Sequence, residues 1–111
     1  VKEANFKREK KQTELFAYFI DQLKTTKDID GSRLFDQCLV SYGSNIRSGH
    51  GIKNVPSIIT GNIKGKIKHG GHIQAAKDTP LCNLWLTMLQ TANIPVDKFS
   101  DSTGTISEIL A

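Results

Sequence analysis

Three histidines and one serine are the side chains best equipped for chemistry, and all four lie between residues 44 and 72. His50, His69 and His72 sit beside glycines, and neutral imidazole suits zinc, copper or nickel. Their spacing matches no compact helical metal motif, and no Cys, Asp or Glu stands nearby to complete a ligand set. They are read as polar loop residues, so neither a metal site nor a cofactor is expected. Ser44 ends a short apolar run, with His50 following after five intervening residues. The string Tyr42-Gly43-Ser44-Asn45-Ile46 is not a Gly-x-Ser-x-Gly elbow. A working Ser/His pair also needs an orienting carboxylate, and residues 37–77 contain none. No catalytic residue is assigned. Gly61-x-x-x-Gly65-Lys66 is followed by Ile67 rather than Ser or Thr, which removes the group a phosphate loop places on its metal.

The same stretch is the positive part of the chain. Residues 37–77 hold six Lys or Arg and carry +6, against +3 for residues 1–11, −2 for residues 12–36 and −3 for residues 78–111. Arg47, Lys53, Lys64, Lys66 and Lys68 could meet an anion or neutralise phosphates, with Asn45, Asn54 and Asn62 adding hydrogen bonds. Tyr42 is the one aromatic residue there, so a base-stacking series is missing. Weak, salt-sensitive anion binding fits this pattern, whereas specific nucleic-acid recognition does not. Cys38 and Cys82 are read as two buried free thiols, with a single disulfide the alternative in an exported chain; two cysteines make no disulfide framework.

Periodicity defines the elements that would position these groups. Phe6, Leu15, Phe16, Phe19, Ile20 and Leu23 share a helical stripe, which predicts a long amphipathic helix over residues 5–26. Its basic head, residues 1–8, is expected to fray. Leu34, Phe35, Cys38, Leu39, Val40 and Tyr42 surround a strand at 38–42, apolar enough to be central with both faces covered. Val55–Thr60 reads as a second strand, with Pro56 near its start. Residues 61–73 form a pair of short strands or an extended excursion, anchored by Ile63, Ile67 and Ile73. Leu81, Leu84, Trp85, Met88 and Leu89 mark a second helix, capped at Asp78 or Thr79, with Pro80 at its first position and Trp85 in the core. Two amphipathic helices flanking a small mixed sheet make the expected class α/β.

A chain of 111 residues and 12.3 kDa has room for one small domain, 1–111, and not for a multi-step enzyme with its own cofactor domain. It opens on Val1, which suits a processed or trimmed product, or a fragment. No apolar run is long enough to span a bilayer.

From Phe19 onward the chain resembles the C-terminal part of a bacterial family, domain of unknown function 1552. The resemblance rests on Phe19-Ile20-Asp21-Gln22-Leu23-Lys24, Asp30-Gly31-Ser32-Arg33-Leu34-Phe35-Asp36 and Leu39-Val40-Ser41-Tyr42-Gly43-Ser44-Asn45. It continues through His50-Gly51-Ile52-Lys53-Asn54-Val55-Pro56, Gly70-Gly71-His72-Ile73 and Thr79-Pro80-Leu81-Cys82-Asn83-Leu84-Trp85. It closes on Ile94-Pro95-Val96-Asp97-Lys98-Phe99 and Ser100-Asp101-Ser102-Thr103-Gly104. It implies an exported protein, periplasmic or extracellular, related to the alkaline-phosphatase and sulfatase superfamily. The present chain would correspond to the end of that domain. Ser44, Asn45, His50 and Asn54 would then fall in the loop where late metal ligands reside. Ile52 stands where the family pattern has a second histidine, and Lys53 and Asn45 stand at its acidic positions.

The expected function is therefore a noncatalytic α/β domain or remnant of a larger exported protein, not an enzyme in its own right. The alternatives are a hydrolase segment needing a missing N-terminal domain or chain, and an electrostatic anion- or nucleic-acid-binding module. A homodimer is expected, formed through a sheet edge or the apolar side of the first helix rather than the histidine loop.

Overall fold

Few apolar residues interrupt the first 25 positions, and their helical spacing decides the local structure. The computed structural model describes residues 1–111, and its first element, α1, runs Lys2–Thr25. Its 24 residues span about 36 Å. The helix starts three residues earlier than predicted, so the basic head is helical, with Glu3 and Lys7 paired at 2.8 Å. That pair and Lys11–Glu14 at 3.5 Å are exposed and each contributes only tenths of a kcal/mol. α1 stops where Thr26 turns extended, its N–H still donating to the Gln22 carbonyl at 2.9 Å.

The chain divides into two compact units, Val1–Gly61 and Asn62–Ala111. In the first, residues 27–33 fold back as a tight loop. The Asp30 carboxylate accepts from the Ser32 amide at 2.9 Å and its hydroxyl at 2.6 Å. The Leu34 amide then donates to Thr26, which returns the chain to α1 and starts the short helix α2, Leu34–Gln37. Arg33 grips Asp36 with two hydrogen bonds of 2.8 and 2.9 Å, which hold the guanidinium above its ordinary pKa.

Strands β1 (Val40–Gly43) and β2 (Ser57–Thr60) pair antiparallel, with Val40 opposite Thr60 and Gly43 opposite Ser57. The fold is thus small and mixed α/β, with three helices and a two-stranded antiparallel sheet. Two expectations are corrected here. The sheet is antiparallel rather than mixed, and β1 has one strand neighbour and alternating half-buried and exposed residues rather than two covered faces. Both strands are also shorter than predicted. Phe16 stacks on Tyr42 with ring centroids 4.4 Å apart, joining α1 to β1.

In the second unit, helix α3 runs Cys82–Thr91. It starts later than predicted because Pro80 and Leu81 form a preceding turn, with Asn83 donating to the Pro80 carbonyl at 3.0 Å. Neither Asp78 nor Thr79 caps it; the N-cap is Leu81 and no side chain bonds there. Its end is a Schellman arrangement. Asn93 takes φ 61°, its N–H reaches Gln90, and the Ile94 N–H reaches Leu89. The excursion ahead of α3 forms no strand pair of its own. Ile67 instead bridges Leu110, with Lys68 donating to Ile109 and Ala111 to Lys66.

The apolar core of this unit is Ile67, Leu84, Leu86 and Ile109. Trp85 is half-buried rather than core, and Leu86, at 2% exposure, takes the central place. Polar side chains bind the tail to α3. The Asn83 amide oxygen accepts from the Thr103 N–H at 2.8 Å. The Thr87 hydroxyl donates to the Asn83 carbonyl at 2.7 Å and accepts from the Ile106 N–H at 2.8 Å.

Candidate functional site

Ser44, Asn45, His50 and Asn54 all lie on the exposed loop between β1 and β2. Their local bonds are those of a folded turn. The Ser44 hydroxyl accepts from the Ile46 N–H at 3.1 Å, and the Arg47 N–H donates to Gly51 at 2.8 Å. His50 sits at the tip of the Ser48–Gly51 turn, and Asn54 takes φ 53°. No hydrogen bond joins Ser44 to His50. Nucleophile and base geometry of the kind an acyl or phosphoryl transfer needs is not assembled here.

His69 and His72 belong to the second unit and are exposed. No group of three or more His, Cys, Asp or Glu side chains is arranged to hold a metal ion.

The five basic candidates separate by environment. Arg47 and Lys53 are exposed in the first unit, and Lys64 and Lys68 are exposed in the second. Lys66 is half-buried. It follows a turn in which Gly61, Ile63, Lys64 and Gly65 all have positive φ, and in which the Gly65 and Lys66 amides both donate to Asn62. Its ammonium then donates to the Thr91 carbonyl and the Asn93 side-chain oxygen, both at 3.0 Å.

Lys66 also lines a cleft of about 410 Å³ with Thr87, Gln90, Thr91 and Thr105. This cleft meets the C-terminal end of α3, where the carbonyl ends of the peptide dipoles give a partial negative charge. The Lys66 charge is absorbed there, as a helix cap supplied from a distant segment. An anion gains little in such a place. The exposed Arg47, Lys53, Lys64 and Lys68 remain the candidates for electrostatic contact.

Cys38 and Cys82 are free thiols, half-buried rather than buried. The Asp101 carboxylate, as hydrogen-bond acceptor, and burial both push the Cys82 thiol above its ordinary pKa. The raised value favours the protonated form in the fold. This contribution is fully present below the unfolded pKa and is lost as pH rises through the folded one. Cys82 is accordingly a poor nucleophile at neutral pH.

The surface that stands out is α1. Leu15, Tyr18 and Phe19 are 56, 62 and 47% exposed, and Phe6 is exposed as well. The predicted stripe is thereby corrected: Leu23 alone is buried, Phe16 and Ile20 are half-buried, and Leu15 and Phe19 face outward. Tyr18 extends the outward face and escapes a reading that follows the stripe alone. Its spacing from Leu15 is the signal that finds it. No helix is long and apolar enough to cross a membrane.

No family model matches the chain, and neither a curated protein nor a solved structure matches it.

Proposed function

We propose that this chain is a noncatalytic α/β module that works by association with another protein surface. The observation that carries the reading is the incomplete burial of the first unit. Its one buried large apolar residue is Leu23, while Phe6, Leu15, Tyr18, Phe19, Ile29, Ile46, Ile52 and Ile58 are exposed. Burial of apolar area is worth roughly 25 cal/mol per Å², so covering this face has a clear driving force. The loop resembling a phosphatase-type ligand segment supports the same reading. Ser44 serves its own turn, and Ile52, Lys53 and Asn45 replace an imidazole and two acidic positions.

The reading keeps the resemblance to the C-terminal part of domain of unknown function 1552, and with it an exported bacterial setting and an alkaline-phosphatase-like ancestry. Its counterpart is a segment of a metal-dependent hydrolase completed by another domain or chain. A second reading, weak electrostatic binding of anions or nucleic acid, is favoured by the exposure of Arg47, Lys53, Lys64 and Lys68.

The test is hydrolysis of aryl phosphate and aryl sulfate esters by the purified chain with zinc, magnesium or manganese added. Turnover at the rate of metal in buffer is expected, unchanged in Ser44→Ala and His50→Ala. Metal-dependent hydrolysis abolished by either substitution would overturn the noncatalytic reading.

A further inference from the structure

We draw no further inference here: the strongest candidate, the exposed patch of Leu15, Tyr18 and Phe19 on α1, is an unpartnered apolar helix face, and nothing in the structure shows what covers it.

Discussion

Gly61→Ala should lower the stability of the first unit by about 3 kcal/mol or more, read as a fall in the thermal midpoint. Gly61 follows the last residue of β2 with φ 90°, a conformation that costs an L side chain about 1 kcal/mol or more. The larger cost is steric. A Cβ there would overlap the Cys38 carbonyl oxygen, lie 2.9 Å from its carbon and come within 3.1 Å of the Leu39 Cα. All three atoms belong to backbone, which cannot swing aside as a side-chain tip can. The chain entering β1 and the chain leaving β2 would have to part. Gly70→Ala provides the control, since Gly70 also has positive φ, 78°, but nothing stands within 4 Å of its added carbon. It should cost roughly 1 kcal/mol, the conformational part alone. Equal losses from the two substitutions would remove the steric argument.

Leu86→Ala should destabilise the second unit by about 2–5 kcal/mol, as for other buried leucine truncations. Leu86 is 2% exposed and belongs to a set of only four buried apolar residues in that unit, with Ile67, Leu84 and Ile109. So small a core has few neighbours to relax into a cavity, which favours the upper part of the range. Urea unfolding followed by circular dichroism would measure it. A loss below 1 kcal/mol would show that this core contributes little to holding the tail against α3.

These two positions also show what the sequence could and could not reveal. Both long helices follow from apolar spacing, and the strand at Ser57–Thr60 follows from its β-branched run. Periodicity identifies a stripe but not which part of it meets a neighbour. That is why Leu15 and Phe19 share a series with Leu23 and still face outward, and why Leu86 rather than Trp85 is most buried. β1 reads as central from its apolar content alone, yet strand pairing is a long-range property and supplies it one partner.

The turn before Lys66 was hidden for a related reason. A β-branched Ile63 at φ 35° contradicts local preference and is tolerated only because the surrounding bonds impose it. The bonds from Lys66 to Thr91 and Asn93 cross 25 and 27 residues, as no local pattern could foretell. At the loop candidates, Ser44, Asn45, His50 and Asn54, residue type and order are legible, whereas their exposure and turn bonding come only from the fold.

The central claim is that the first unit leaves an apolar helix face uncovered, and amide hydrogen exchange of the full chain tests it most directly. In dilute solution α1 amides should exchange much faster than the Thr87–Thr91 turn of α3, which is tied down by buried side-chain bonds. Protection of α1 equal to that of α3 at high dilution would contradict the account.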